Sequence, residues 1–527
     1  MPVVAAPDFA DSYNAAEDLL SRNLSPERAG RVAFIDRDGA HTYAELDERS
    51  ARFAAVLRQL GIEAEQRVAL CLTDTVDFPS CFLGAIRAGV IPVPLNTRLT
   101  AKDYAYILAD SRARALVVSA GLLPQFTPHV DAHPHLRSVV VAGDPALAEA
   151  AGATSTLSTL LAAVSPAREF ADTRRDEPCF WLYTSGTTGA PKGVVHLHGH
   201  LLETSRRYAQ PILGLREDDV VFSAAKLFFA YGLGNALTFP MAVGATAVLL
   251  EGPPRPESVS AILKRHQPTV FYGVPTLFGM LLAHDELLPA KDAHRLRLCT
   301  SAGEALPPEL LRRWRARVGV DILDGLGTTE ALHIFISNRL GEVRPGSSGR
   351  PVDGYQLRLL REDGQPAAVG ELGTLEVRGP TTALMYWNLR ERSKQTFRGP
   401  WLRTGDKYRV DEEGYLFYGG RADDLLKVGG LWVSPFEVES ALLQHDAVLE
   451  SAVVGHADQD ALIKPRAFVV LRPGRDGDRE RLARELIDFV RARLADYKRP
   501  RWIEFVDALP KTATGKIQRY KLRELSS

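Results

Sequence analysis

The sequence predicts an α/β protein: a large N-terminal domain of two α/β subdomains plus a small β unit, joined to a C-terminal α+β domain. Three observations predict it. Short apolar runs alternate with amphipathic stretches, about twice over, before residue 330. After Gly341 the texture changes to short strand-like runs separated by Asp-Gly, Glu-Gly and Gly-Pro turns. From Lys464 onward the chain carries 17 Lys and Arg against 9 Asp and Glu, a net of +8, although the 527-residue chain as a whole stands at −1.

The elements follow in chain order. Residues 67–72 (RVALCL) read as a buried strand, residues 80–88 as a helix, and Gly89 to Pro92 as the turn that closes it. Residues 115–119 and 138–142 are further β-branched runs, and the pattern recurs at 245–250, 269–272 and 296–300, with a helix at 308–318. Strands that alternate with helices argue for parallel sheets covered on both faces. Beyond Gly341, residues 356–360, 374–378 and 415–418 are short strands of a small all-β unit. Past Asp424 a compact segment of about 100 residues contains an amphipathic helix at 478–494. The boundary is expected in the Gly419, Gly420, Arg421, Ala422, Asp423, Asp424 stretch, which divides the chain into 1–422 and 423–527.

Composition narrows the function. Hydrophobic residues make up 45% and charged residues 24%, a globular balance that excludes a disordered chain or a coiled coil. A net charge near zero excludes binding to nucleic acid by bulk positive charge. No apolar run reaches the ~18 residues of a membrane span. The first 14 residues carry Asp8 and Asp11 and no basic residue, unlike a secretory leader. Cys71, Cys81, Cys179 and Cys299 include no C-x-x-C pair and read as buried free thiols. A cytoplasmic protein is expected, with no membrane or nucleic-acid partner; a homodimer is left open.

The most informative stretch is residues 183–193, Tyr-Thr-Ser-Gly-Thr-Thr-Gly-Ala-Pro-Lys-Gly, after a strand-like 179–182. Glycines let backbone N–H groups approach an anion, hydroxyls add donors and Lys192 adds charge, so the loop suits a polyphosphate. It is not a Walker A loop, because Pro191 stands where the glycine before the lysine belongs.

This loop resembles the phosphate-binding signature of the acyl-adenylate-forming enzymes: acyl-CoA synthetases, luciferases and peptide-synthetase adenylation domains. Five further segments match that family in order. They are Ser301, Ala302, Gly303 and Glu304; the DGLGTTE run from Asp324 to Glu330; WLRTGD ending in Asp406; the region 420–439 with Arg421; and LPKTATGKIQR with Lys516. The resemblance covers the chain from about residue 30 to its end. It implies that 1–422 is an AMP-binding (adenylation) domain and 423–527 a mobile domain. Leu326 departs from the pattern, since most members carry an aromatic there.

The resemblance implies a two-step reaction that uses ATP, Mg²⁺ and CoA. Thr184, Ser185, Gly186, Thr187, Thr188, Gly189 and Lys192 would cradle the phosphates. Residues 301–304, together with Asp324, Gly325, Leu326, Gly327 and Thr328, would line the nucleotide. Asp406 would hold the ribose, and Arg421 the ribose or a phosphate. Thr329 would donate to the α-phosphate, Glu330 would hold Mg²⁺, and Lys516 would bridge carboxylate and phosphate. For the second step the C-terminal domain would turn about Asp423 and present Lys427, Gly429, Gly430 and Trp432 to the thiol, with Tyr497 and Arg499 at the CoA nucleotide.

Phe228, Ala230, Tyr231, Gly327, His333 and Ile334 are the expected acyl pocket. Aromatic walls with a small residue between them suit a flat ring, and a pocket closed by Tyr, His and Ile is short. The stretch KLFFAYGLGN resembles benzoate–CoA ligases, which implies a small aromatic acid as substrate, benzoate first and a hydroxybenzoate second. A luciferase-type oxygenase and a non-catalytic adenylate binder are the competing classes. His196, His198 and His200 alternate like metal ligands, but no cysteine or acid completes a zinc set.

Overall fold

The computed structural model describes residues 12–130, 133–143, 155–184, 190–284, 293–422, 424–428, 431–459, 462–475, 477–511 and 517–525. Its first sheet is parallel, with Ile91–Pro94, Arg67–Cys71, Ala115–Ser119 and Ser138–Ala142 side by side in that order. Val68, Ala69, Leu70 and Cys71 are all buried, which is why that strand reads as a continuous apolar run instead of an alternation. The following helix, Asp77–Arg87, starts three residues before its expected position, at the acid that suits a first turn. Gly89 turns the chain with φ 73°, but Ile91 and Pro92, expected as part of the turn, already belong to a strand. Two prolines are tolerated there because the strand is at the sheet's edge.

A second sheet has nine strands: Arg350–Pro351, Ile334–Ser337, Ile322–Gly327, Leu298–Ser301, Val270–Gly273, Val220–Ser223, Thr246–Val248, Val32–Asp36 and Gly39–Thr42. From Ile322–Gly327 across to Val32–Asp36 every neighbour is parallel. The three runs expected in 245–300 fall here, and the helix Pro308–Val318 forms where it was expected. Local patterning gives no hint that Val32–Asp36 crosses to this sheet and sets Phe34 opposite Ala247.

Between these layers, Pro178–Thr184 and Lys192–Leu197 pair antiparallel and flank residues 185–189. Met385–Tyr386 joins the hairpin on its other side, with Tyr386 opposite Val194. The β unit is an antiparallel sheet of Gln356–Leu360, Gly373–Arg378, Trp401–Val410, Phe397–Arg398 and Leu416–Arg421.

The C-terminal segment has its own core. Val448–Ala457, Ile463–Leu471 and Trp502–Phe505 form a sheet. Val438 and Leu442 of the helix Pro435–Leu442, and Leu486 and Val490 of the helix Arg479–Arg491, are buried in one cluster with Val453 and Val469. The i, i+4 spacing of each pair puts both side chains on one helix face. Leu426–Val428 pairs with Leu431–Val433 as a separate hairpin. All four cysteines are free and buried, and burial pushes each thiol up, Cys71 to about 12, so none is a thiolate at neutral pH. No helix among the described residues is long and apolar enough to cross a membrane.

Candidate active site

The expected site lies where the hairpin that flanks residues 185–189 meets the turn after the strand Ile322–Gly327. Thr184 and Lys192 are opposite each other in the hairpin, so the loop between them leaves and returns at one point. Ser185, Gly186, Thr187, Thr188 and Gly189 lie outside the described residues. The Lys192 ammonium sits 5.5 Å from the centre of the Tyr386 ring. Burial, aided by Arg392, lowers its pKa below the ordinary lysine value.

Beyond Gly327 the chain turns sharply. Thr329–Ala331 is a single 3₁₀ turn, and Leu332 then takes φ 65° and ψ −46°. The His333 N–H reaches back to the Ala331 carbonyl at 2.8 Å, which closes a γ-turn centred on a leucine. Such a conformation is costly for a non-glycine residue and persists where its surroundings hold it. Thr381 Oγ1 donates to the Ala331 carbonyl at 2.7 Å and the Ala383 N–H to the Glu330 carbonyl at 2.8 Å. The Glu330 carboxylate is fixed at both oxygens: Tyr386 donates to Oε1 at 2.7 Å and Thr328 to Oε2. Sequence reasoning missed Tyr386, because only its pairing with Val194, far away in the chain, brings it to Glu330.

The nucleotide-side residues converge on the same edge. Ser301 ends the strand next to Ile322–Gly327 and faces Asp324 in register. Ala302 is buried, Gly303 has φ 92°, and Glu304 accepts from Thr276 Oγ1 at 3.3 Å. Burial pushes the Asp324 carboxyl well above the usual carboxylate range. A Cβ on Gly325 would come within 2.8 Å of Ile334, and one on Gly327 within 2.7 Å of the His333 carbonyl, so both glycines are required by close approach. Leu326 is partly buried against the core opposite Ile336, an aliphatic packing role at the position where an aromatic was expected. In the β unit Asp406 is opposite Arg421, whose Nη1 lies 3.2 Å from the carboxylate.

His333, expected in the acyl pocket, is packed among three aromatic rings, of which only Tyr231 was expected there. Its ring centre is 4.5 Å from Phe239, 5.5 Å from Tyr208 and 5.5 Å from Tyr231. Burial holds the imidazole neutral, at a pKa of about 3, and Nε2 donates to the Tyr231 carbonyl at 3.3 Å. A neutral ring that donates through Nε2 has a bare Nδ1, and that buried atom has no hydrogen-bond partner among the described residues. The Tyr231 hydroxyl is bound to Thr300 Oγ1 at 2.6 Å. Phe228 packs edge-on to Phe229 at 4.5 Å, Ala230 is partly buried beside them, and Ile334 is buried behind His333.

The remaining expected residues belong to the C-terminal segment. Lys427 and Trp432 pair across the hairpin, the ammonium 5.4 Å from the indole ring, with Trp432 42% exposed. Trp432 shares a crevice with Arg361, Leu372 and Lys407. Tyr497 packs on the C-terminal core, and Arg499 pairs with Asp496 at 3.0 Å. Asp423, Gly429, Gly430 and Lys516 lie outside the described residues. The three histidines have other work: His198 accepts the Ala15 N–H at 3.2 Å, and His196 and His200 contact each other. Among the described residues no cluster of His, Cys, Asp and Glu has the form of a metal site.

The hairpin that flanks residues 185–189, the acidic turn at Thr329–Ala331 and the aromatic cluster around His333 lie in segments that the matching family model spans. The chain belongs to the AMP-binding enzyme family, whose model matches residues 22–387, and the AMP-binding enzyme C-terminal domain matches residues 437–516. It is similar to the benzoate–CoA ligase of Thauera aromatica, at 56% identity over 99% of this chain and 97% of that one. It is 48% identical to a 4-hydroxybenzoate–CoA/benzoate–CoA ligase of Rhodopseudomonas palustris, over 98% and 94%. A crystal structure of a benzoate CoA ligase from Burkholderia xenovorans LB400 superposes with a TM-score of 0.90 at 50% identity, covering 97% of this chain and all of that one.

Proposed function

We propose that this chain is an ATP-dependent benzoate–CoA ligase, which converts benzoate, ATP and CoA to benzoyl-CoA, AMP and diphosphate through benzoyl adenylate. The observation that carries this reading is the cluster of aromatic rings around His333, which follows Glu330 by three positions in the chain. The full-length likeness to benzoate–CoA ligases supports it.

In the first step a benzoate oxygen attacks the α-phosphorus of ATP and the bond to diphosphate breaks. Two anions must meet, so positive charge and donors must be concentrated there. Thr329 donates to the α-phosphate and Lys192 neutralises the phosphates. Lys516 bridges benzoate and phosphate. One such charge at 4 Å and an effective dielectric near 20 contributes about 4 kcal/mol, on the order of a thousandfold in rate. Glu330 is an oxygen donor held rigid on both sides, which suits Mg²⁺, an ion bound through one or two carboxylates plus phosphates. When bound, Mg²⁺ supplies charge neutralisation on the phosphates. Asp406 takes the ribose hydroxyls, with Arg421 beside it.

In the second step the CoA sulfur attacks the acyl carbon and AMP leaves. The domain 423–527 turns about Asp423 to bring Lys427, Gly429, Gly430 and Trp432 to the thiol channel, with Tyr497 and Arg499 at the CoA nucleotide. A basic segment of +8 fits a domain that meets two polyanions in turn. We place the protein in the cytoplasm, as the free thiols suggest, and self-association into a homodimer is open to sedimentation analysis.

Hydroxybenzoates are the second reading, favoured by the bare His333 Nδ1, an acceptor for a ring hydroxyl. The test is diphosphate release with benzoate, 4-hydroxybenzoate, 2-aminobenzoate, cyclohexanecarboxylate and hexanoate, with and without CoA. Benzoate is expected to lead. A preference for hexanoate over every aromatic acid would overturn the pocket assignment.

A further inference from the structure

The turn that carries Thr329 and Glu330 is held from a third side by a side chain with no role in the reaction above. His196 is fully buried, stacked on Phe180 at 5.1 Å and 16°. Its Nε2 lies 2.8 Å from the Thr329 carbonyl and its Nδ1 lies 3.1 Å from Nδ1 of His200. On the strand Lys192–Leu197 the side chains of Lys192 and His196 fall on one face, four residues apart. That face meets the turn twice, through His196 at the Thr329 carbonyl and through Lys192 at the ring of Tyr386, whose hydroxyl holds Glu330.

Hydrogen-bond accounting sets both tautomers. Burial lowers His196 to about 4 and His200 well below the ordinary value, so both rings are neutral. A carbonyl only accepts, so the single proton of His196 is on Nε2 and its Nδ1 is bare. The contact between the two Nδ1 atoms is then a donation from His200 to His196. The Leu197 N–H lies 3.4 Å from the same His200 nitrogen and competes for it, but the shorter 3.1 Å contact between the two Nδ1 atoms would set two lone pairs face to face unless His200 donates. The Thr329 carbonyl also accepts the Leu332 N–H at 3.0 Å, so the His196 bond is an addition to the turn's own ladder and anchors it from outside.

We propose that His196, oriented by His200, is a positioning residue of adenylation: its Nε2–H fixes the Thr329 carbonyl and thereby the strained Thr329-to-His333 turn, with Glu330 aimed at the phosphates. The proposal rests on the reading of Thr329 and Glu330 given above.

The experiment compares His196→Leu, which removes the donor, with His196→Gln, whose amide N–H reaches to a similar position. Readouts are the kcat of diphosphate release with benzoate, the Mg²⁺ concentration for half-maximal rate, and thioester formation from supplied benzoyl adenylate. His196→Leu is expected to lower the adenylation kcat about tenfold or more and to raise the Mg²⁺ requirement, and thioester formation stays within about threefold. His196→Gln is expected to recover most of both. Equal losses in the two variants, or no loss in His196→Leu, would overturn the proposal. Should His196→Leu fail to fold, ¹⁵N-histidine spectra of the unaltered protein decide: Nε2–H on His196 and Nδ1–H on His200 are expected, and the opposite tautomer on His196 overturns it. Diphosphate release by the unaltered chain tests the parent reading separately, since that reading fails if no aromatic acid supports release or if hexanoate is preferred, whatever the His196 variants do.

Discussion

The hydroxyl of Tyr386 donates to Glu330 Oε1 at 2.7 Å, across 56 residues of chain. Burial, with the neighbouring carboxylate second, pushes the phenol well above its ordinary pKa, so at neutral pH Tyr386 is always the donor. Thr328 holds the other oxygen. The carboxylate is therefore oriented before any ligand arrives, and orientation fixed in advance need not be supplied during the reaction.

Tyr386→Phe removes that donor and keeps the ring beneath Lys192. A hydrogen bond to a charged group is worth about 1.5–3 kcal/mol, so the adenylation kcat should fall about ten- to a hundredfold. Diphosphate release over a Mg²⁺ titration measures it. A variant within twofold of the unaltered enzyme at every Mg²⁺ concentration would show that Thr328 alone orients Glu330.

Lys516→Ala should lower adenylation by about two to three orders of magnitude, the value of one close positive charge at the reacting anions. Thioester formation from supplied benzoyl adenylate should be largely spared if, as proposed, the lysine serves only the first step. Stopped-flow measurement of the two half-reactions separates them, and parallel loss in both contradicts the role.

Gly234→Ala probes the pocket floor. A Cβ there would come within 2.4 Å of His333 Cδ2, and His333 is packed among Tyr208, Tyr231 and Phe239 and cannot swing aside. Overpacking of this kind costs about 1–3 kcal/mol. The KM for benzoate should rise by tenfold or more while the KM for ATP changes little. If both rise together, Gly234 acts through general stability and not through the pocket.

Acid should destabilise the fold through its buried imidazoles. Burial lowers His198 to about 4, His333 to about 3 and His200 well below the ordinary value. A folded pKa below the unfolded value of about 6.5 means the unfolded chain takes up the proton first, so stability is lost as pH falls from 6.5 towards the folded pKa. Each group contributes at most about 1.4 kcal/mol per pH unit in that window. Denaturant unfolding between pH 7.5 and 5 should show the decline, and His198→Gln should shallow it by about one proton. Identical slopes would mean that His198 is already charged in the fold.

Much of this protein could be read from the chain itself. The strands at 67–71, 115–119 and 138–142 and the helix at 308–318 follow from local composition, because a buried strand must be apolar and a surface helix amphipathic over a few consecutive residues. The adenylation motifs are legible for a similar reason: a loop that binds phosphate needs its glycines, hydroxyls and lysine close together in sequence. What no local pattern contains is the pairing of Phe34 with Ala247, of Tyr386 with Val194, or of His196 with the Thr329 carbonyl. Each joins segments more than a hundred residues apart, and neither periodicity nor spacing encodes which distant strand will be the neighbour. The sequence by itself thus determined the α/β class and the adenylate-forming family, whose motifs are local. Only the tertiary structure decided that Leu332 would be bent into a γ-turn, that Tyr386 and Thr328 would grip Glu330, and that His333 would keep a bare nitrogen, because those facts depend on which groups long-range packing leaves within hydrogen-bond reach.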